Sequence, residues 1–196
     1  MKSCILTVIK NEHEYLDEWI KYHLDLGINH IFIFEDIDSD SHKEICDKYG
    51  DKVSLNSVTI LLNEDDIKDV NELKETKRSN PQFIYFKRGL VRIQTLNIYD
   101  WCFVIDNDEF ITLENDSLED ILNIYKDYDA FVLQWKIYGA SGYIEKPDYK
   151  DKGVVDTYTE EMKGHIPIKK PYLTKPCYNL RTYKNHFFGH IHQTSD

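Results

Sequence analysis

The chain has 196 residues, 41% of them hydrophobic and 13% aromatic. That is enough for one domain with a real core and too apolar for a disordered chain. The formal net charge of −11 excludes broad nonspecific binding to nucleic acid or an anionic membrane, which needs a basic surface. It leaves room for a small anionic ligand, because a metal ion and a few lysines reverse the sign locally. Cys4, Cys46, Cys102 and Cys177 lie far apart, with no C-x-x-C pair. They read as small hydrophobes in a reducing, cytoplasmic setting. Met1-Lys2-Ser3-Cys4 lacks the shape of a signal peptide, and no run approaches the roughly 20 apolar residues of a membrane span.

In chain order, Cys4 to Ile9 is a short apolar, β-rich run, followed by Lys10-Asn11-Glu12. Leu16, Trp19, Ile20 and Leu24 then recur at three- and four-residue steps, one face of a helix, and Gly27 is a natural stop. His30 to Phe34 is a second strand that ends in Glu35 and a run of acids to Asp40. Strand, helix and strand within about 30 residues predict a parallel βαβ unit with a right-handed crossover. Ser41 to Tyr49 reads as a short polar helix, Val53 to Leu62 as a third strand, and the charged stretch Asn63 to Asn80 as a solvated loop or exposed helix.

Pro81 suits a first helical turn. Phe83, Phe86, Leu90, Ile93 and Leu96 follow at helical spacing. Trp101 to Ile105 is a buried strand bounded by acids, and it runs into Asp106-Asn107-Asp108-Glu109. In an extended chain Asp106 and Asp108 point the same way. Two carboxylates at the end of a buried strand need a cation, and a hard divalent ion, Mg²⁺ or Mn²⁺, suits oxygen ligands. Ser117 with Asp120 resembles a capping box before the face Leu118, Ile121, Leu122 and Tyr125. Asp129 to Ile137 alternates as a strand and is broken at Gly139-Ala140-Ser141-Gly142. From Glu145 onward the pattern weakens to loops and short strands with no clear helix. His190 and His192 share a face if extended and are candidate metal ligands.

The expected fold class is therefore α/β, a mixed and mostly parallel sheet flanked by helices on both faces. Ligands of such sheets bind beyond the carboxyl ends of the strands. Polar clusters stand at three of those ends: Lys10-Asn11-Glu12, Glu35 to Asp40, and Asp106 to Glu109. Glu35 can accept a hydrogen bond from a ribose hydroxyl or a base N–H, and Lys10 and Asn11 can meet base or phosphate.

These residues resemble a known family. Val8-Ile9-Lys10-Asn11-Glu12, Tyr15-Leu16, Glu18-Trp19, Tyr22-His23 and Leu26-Gly27, with the strand into Glu35 and Asp40, look like the opening of glycosyltransferases related to families 2 and 92. Asp106-Asn107-Asp108-Glu109-Phe110 is similar to their D-x-D-E-F, and Trp135, Tyr138-Gly139 and Ser141-Gly142 to their W-x-x-F-G-x-S-G stretch. The resemblance covers roughly residues 4–142. It implies a GT-A fold, a nucleotide-sugar donor (a UDP-sugar by expectation), a glycan or other hydroxyl acceptor, Mn²⁺ or Mg²⁺, and transfer with inversion. By the same resemblance, Val8, Lys10, Asn11, Glu12, Glu35, Asp106 and Asn107 would contact the nucleotide. Asp106 and Asp108, with His190 or His192, would hold the metal, and Trp135, Tyr138, Gly139, Ser141 and Gly142 would bind substrate.

The family usually has Asp where Glu35 stands. The chain is also short for the family, so 1–196 is read as one GT-A domain with a nucleotide-binding half, 1–112, and a truncated acceptor-side half, 113–196. Asp156 and Glu160, with Glu161, are the candidates for the general base that inversion requires. Two other readings stay open. One is a non-catalytic nucleotide- or sugar-binding module of the same fold. The other is a divalent-metal phosphohydrolase, which would want more clustered carboxylates or histidines.

Overall fold

The computed structural model describes residues 1–36, 39–76, 81–149, 152–161 and 174–184. Six strands form one sheet: β1 (Ser3–Ile9), β2 (His30–Glu35), β3 (Val53–Ser57), β4 (Trp101–Val104), β5 (Ala130–Gln134) and β6 (Thr174–Asn179), in the order β3-β2-β1-β4-β6-β5. The β1–β2, β2–β3 and β1–β4 pairs are parallel, and β6 joins β4 and β5 antiparallel. The expected mixed, mostly parallel sheet is present. The βαβ unit is β1, helix α1 (His13–Asp25) and β2, with Cys4 beside His30 and Ile9 beside Glu35.

Alternation along the strands builds the two halves of the core. Ile5, Ile9, Ile31, Ile33, Trp101 and Phe103 face Leu16, Trp19 and Ile20 of α1 and Leu118 and Leu122 of helix α5 (Leu118–Ile124). Cys4, Leu6, Phe32, Phe34, Cys102 and Val104 face the opposite way. There they meet Val70 of helix α3 (Glu64–Thr76) and Tyr85, Phe86, Leu90 and Ile93 of helix α4 (Gln82–Leu96). Two short helices complete the set, α2 (Lys43–Asp47) and α6 (Gly153–Thr157). All four cysteines are buried and unpaired.

Helix ends follow their local chemistry. The capping box expected at Ser117 is there: Ser117 Oγ accepts the Asp120 amide N–H at 3.1 Å, and Asp120 Oδ2 accepts the Ser117 amide N–H at 3.3 Å. Helix α4 stops at Asn97, whose φ of 53° is the left-handed conformation that Asn tolerates.

Several expectations change. The third strand ends at Ser57, whose Oγ accepts the Thr59 amide N–H, so residues 58–61 turn as a 3₁₀ segment rather than extending to Leu62. Of the two readings of the charged stretch, the helix is the one present: α3 is tied to α4 by an ion pair at 2.8 Å between Arg88 Nε and Asp66. On α4, Phe83 and Leu96 are exposed, because the face against the sheet is Tyr85, Phe86, Gly89, Leu90 and Ile93. After residue 145 the chain does form a helix, α6, and a strand, β6, that inserts beside β4. Pro176 is tolerated in β6 because the pairing with β4 covers only Cys177 to Asn179.

Gly89 marks the closest approach of α4 to the sheet. A Cβ there would meet the Leu6 side chain at 2.9 Å, and Leu6 is fully buried in β1 between β2 and β4. Gly89→Val should therefore lower stability by about 1–3 kcal/mol through overpacking. A urea unfolding curve should show this as a lower midpoint at unchanged slope.

Candidate active site

A cavity of about 310 Å³ opens at the carboxyl ends of β1, β2 and β4. Its wall comes from Val8 and Ile9 at the end of β1, Lys10 and Glu12 after it, Asp36 after β2, Gln82 and Tyr85 of α4, and Asp106, Asn107 and Asp108 after β4. This is the address at which open α/β sheets bind ligands.

Asp106 and Asp108 reach the wall by a different route from the expected one. β4 ends at Val104, and residues 106–109 form a turn in which the Glu109 amide donates to the Asp106 carbonyl at 3.1 Å. The turn, rather than strand alternation, brings the two carboxylates to one side. Its other acid is turned inward, since Glu109 Oε2 accepts the Asp106 amide N–H at 3.0 Å.

Both oxygens of Asp106 carry a donor. Gln82 Nε2 donates to Oδ1 at 2.8 Å, and the Lys175 ammonium donates to Oδ2. Lys175 arrives on β6 with its side chain only 9% exposed; its Nζ lies 3.3 Å from Glu109 Oε1 and 5.4 Å from the centre of the Trp135 ring. Burial pushes the Glu109 carboxyl up to about 7 against the pull of Lys175, and Asp106 adds to the rise. Asp108 reaches solvent on its outer side. Partial desolvation, then the charge of Asp106, still raise its pKa. Asn107 is buried, and its Nδ2 has no hydrogen-bond partner among the described residues. An orphaned amide on the wall of a cavity is a donor in waiting for a ligand oxygen.

The backbone beyond this turn is held by α1. Trp19 Nε1 donates to the Glu109 carbonyl at 2.7 Å, and Tyr22 OH donates to the Ile111 carbonyl at 2.9 Å. The fully buried His23 accepts the Ile111 amide N–H at Nε2, 3.3 Å, while its Nδ1 sits 2.9 Å from the Trp19 carbonyl. Those partners fix the tautomer with the proton on Nδ1. Glu18 accepts the amide N–H groups of Val154 at 2.6 Å and Val155 at 3.2 Å, so it holds the start of α6. Gly153 is needed for that approach, because a Cβ at its φ of 71° would lie 2.5 Å from Glu18 Oε1.

With this geometry in place, the chain can be set against known proteins. The family model of glycosyltransferase family 92 matches residues 1–192. The chain belongs to glycosyltransferase family 92. A family 92 protein of Oryza sativa subsp. japonica is 24% identical over 182 residues, which cover 88% of this chain and 27% of that relative. The chain thus spans about a quarter of the length of the curated relative it matches. The six-stranded, mostly parallel sheet with helices on both faces is consistent with the GT-A type of fold.

Within this family 92 chain the predicted site residues divide sharply. Val8, Lys10, Glu12, Asp106, Asn107 and Asp108 line the cavity. Asn11 does not: its Oδ1 accepts the Asp40 amide N–H at 2.9 Å. Glu35 does not line it either. Adjacent residues point to opposite sides of a strand end, so Glu35 binds His42, with Oε1 2.8 Å from Nδ1, while Asp36 lines the cavity.

The later stretch stands apart from the cavity wall. Trp135 lies against Lys175, and Tyr138 is exposed and bridged to Glu161. Gly139 donates its amide N–H to the Glu160 carbonyl at 2.9 Å, and Ser141 Oγ accepts the amides of Thr159 and Glu160, each at 3.1 Å. Gly142 turns with φ of 84°. Asp156 and Glu160, the base candidates, are exposed and do not line the cavity. His190 and His192 lie outside the described residues. Sequence reasoning missed Asp36, Gln82, Tyr85 and Lys175. Only Asp36 left a signal, as one acid in the cluster after β2.

The arrangement suits a divalent ion of limited protein ligation. Among the described residues no three His, Cys, Asp or Glu side chains converge into a cage. Mg²⁺-like ions nevertheless bind through one or two carboxylates plus substrate phosphates and water. Asp108 offers an open carboxylate, and each oxygen of Asp106 keeps a second lone pair beside its present donor.

His23 supplies a pH test of the scaffold. Burial lowers its pKa from 6.5 to about 4. The unfolded chain therefore binds a proton that the folded chain refuses between those values. The contribution is fully present above pH 6.5, declines as pH falls, and is lost below about 4. It amounts to about 3 kcal/mol at this shift. His23→Gln should show a flatter loss of stability across that window than wild type, as measured by urea unfolding at each pH.

Proposed function

We propose that the chain transfers a sugar from a nucleotide-sugar donor to an acceptor hydroxyl, with a divalent ion on the donor diphosphate and with inversion. The observation that carries the reading is the cavity at three strand ends, where Asp106 and Asp108 face Lys10 and Asp36. Family membership supports the reaction class.

Asp36 is suited to accept from a ribose hydroxyl or a base N–H, and Lys10 Nζ lies 3.7 Å from its Oδ2. The unpartnered amide of Asn107 is suited to donate to a donor oxygen. Gln82 on the wall and Lys175 behind it orient Asp106, and Asp108 presents its carboxylate outward. Asp106 and Asp108 would hold Mn²⁺ or Mg²⁺, which supplies neutralisation of the charge that grows on the leaving nucleoside diphosphate. Inversion rests on the family resemblance, and it calls for a base at the acceptor oxygen. Every described cavity residue falls before 112, which supports 1–112 as the nucleotide-binding half and leaves 113–196 for the acceptor. Four buried, unpaired cysteines support a reducing, cytoplasmic setting. Among the described residues no helix is long and apolar enough to cross a membrane.

Calorimetry with nucleoside diphosphates and their sugars, with and without Mn²⁺, tests the reading. Metal and nucleotide should each tighten the other by the same factor, because linkage is reciprocal. Asp108→Asn should abolish the metal-dependent part of nucleotide binding. It should leave the ligand-free melting temperature unchanged or raised, since a repulsion with Asp106 is relieved. An unaltered Mn²⁺ dependence in Asp108→Asn would remove Asp108 from the site. Binding without transfer or donor hydrolysis would reduce the protein to a non-catalytic module.

A further inference from the structure

We propose that His42 is a positioning residue for the donor cleft: its buried imidazole, oriented by Glu35, holds the turn that carries Lys10 and Glu12. The proposal rests on the donor-site reading above and goes beyond it, because neither His42 nor Glu35 lines the cavity.

The turn between β1 and α1 needs holding. Asn11 has φ of 57°, a left-handed conformation that Asn tolerates but does not prefer. Three hydrogen bonds to the segment 39–42 compensate. The Asn11 amide N–H donates to Ser39 Oγ at 3.1 Å, the Asp40 amide N–H donates to Asn11 Oδ1 at 2.9 Å, and the Glu12 amide N–H donates to His42 Nε2 at 2.9 Å. The last bond defines the imidazole. An amide N–H can donate only to an unprotonated nitrogen, so Nε2 carries the lone pair and the proton sits on Nδ1. Nδ1 then donates to Glu35 Oε1 at 2.8 Å, and the same oxygen accepts the His42 amide N–H at 2.6 Å. His42 is fully buried, and the His13 ring stacks on it at 4.0 Å and 19°. Every polar atom of the imidazole is assigned, and its plane is fixed.

What this network holds is the wall of the cavity rather than the sheet. Lys10 and Glu12 flank the clasped Asn11, and Asp36 follows Glu35 in the chain. The β1–β2 register is complete from Cys4–His30 to Ile9–Glu35 without these bonds. Loss of the clasp should therefore release wall residues while the core stays formed. A donor would then bear the entropy of ordering the turn, which preorganisation removes.

The test uses the full chain and three variants. His42→Leu keeps bulk and loses both polar partners. His42→Gln keeps one acceptor and one donor in a plane. Ser39→Ala removes a second leg of the clasp. The affinity for uridine diphosphate with Mn²⁺ is read by calorimetry, and amide exchange at Asn11 and Glu12 by NMR. His42→Leu should weaken binding about tenfold, the size of a lost buried hydrogen bond, and His42→Gln should recover most of it. Glu12 exchange should quicken in the leucine variant, and Asn11 exchange in Ser39→Ala. Wild-type affinity and wild-type protection in His42→Leu and Ser39→Ala would overturn the proposal. If His42→Leu fails to fold, the same comparison is made on Ser39→Ala, where unchanged affinity and Asn11 exchange overturn it. Absence of any uridine diphosphate binding by wild type would instead overturn the donor-site reading itself, and the positioning role with it.

Discussion

The Lys175 ammonium lies between the carboxylates of Asp106 and Glu109, and the end of the central strand depends on it. Three acids fall within four residues after β4, and burial has already lifted Glu109 to about 7. Without a cation, such a cluster would protonate or spring open, because desolvated like charges cannot coexist. Lys175 comes from far along the chain on an antiparallel strand, so the second half of the sequence finishes a site begun in the first. A buried pair of this kind is weak evidence for stability, since desolvation offsets much of its attraction. Its value is directional. With Gln82 on one oxygen of Asp106 and Lys175 on the other, that carboxylate cannot rotate freely. The turn that follows leaves Asp108 as the carboxylate facing out.

The helix after the first strand does the complementary work on the backbone. Its E-W and Y-H pairs carry part of the family resemblance, and here Trp19, Tyr22 and His23 grip the main chain of Glu109 and Ile111, and Glu18 grips the start of α6. Each interaction joins a side chain to an amide or carbonyl with no ladder partner to satisfy it. The E-W and Y-H pairs are therefore scaffolding that sets the height of the turn over the sheet. They also link the cavity to the later segment, because one helix holds the exit from Asp108 and the helix that opens at Gly153.

How much of this was legible follows from range. The apolar runs, the switch from period 2 to period 3.6 in the βαβ unit and the capping box at Ser117 are local signals, and they read correctly. The two carboxylates after β4 were also visible, although a turn rather than alternation brings them together. Asp36 rather than Glu35 lines the cavity, since in a row of acids sequence does not say which of two adjacent side chains faces the cleft. β6 was hidden because Pro176 and Lys175 interrupt its apolar character, and Lys175 as a partner of Asp106 left no trace, 69 residues away. Asn11 reads from sequence as a nucleotide contact and His42 as part of a short polar helix, and only the contacts of the turn 11–12 with Ser39 and His42 reveal a clasp.

Charge ties these parts together. Among the described residues, the cavity wall carries four carboxylates, Glu12, Asp36, Asp106 and Asp108, and one ammonium, Lys10, a formal charge of −3. Lys175 stands behind the wall and is already engaged by two of the acids after β4. A diphosphate entering that field meets repulsion at short range, and the unpartnered amide of Asn107 is a dipole too weak to reverse it. On the donor-site reading, a mobile cation entering with the anion would offset that repulsion, and the outward carboxylate of Asp108 is the place where one would be shared. The same field explains why the wall needs a clasp at its other side. Lys10 is the cation of the described wall, and it lies on the turn where Asn11 is left-handed and His42 holds the chain. If that turn loosens, Lys10 leaves its place, and among the described residues of the wall the acids then face the ligand.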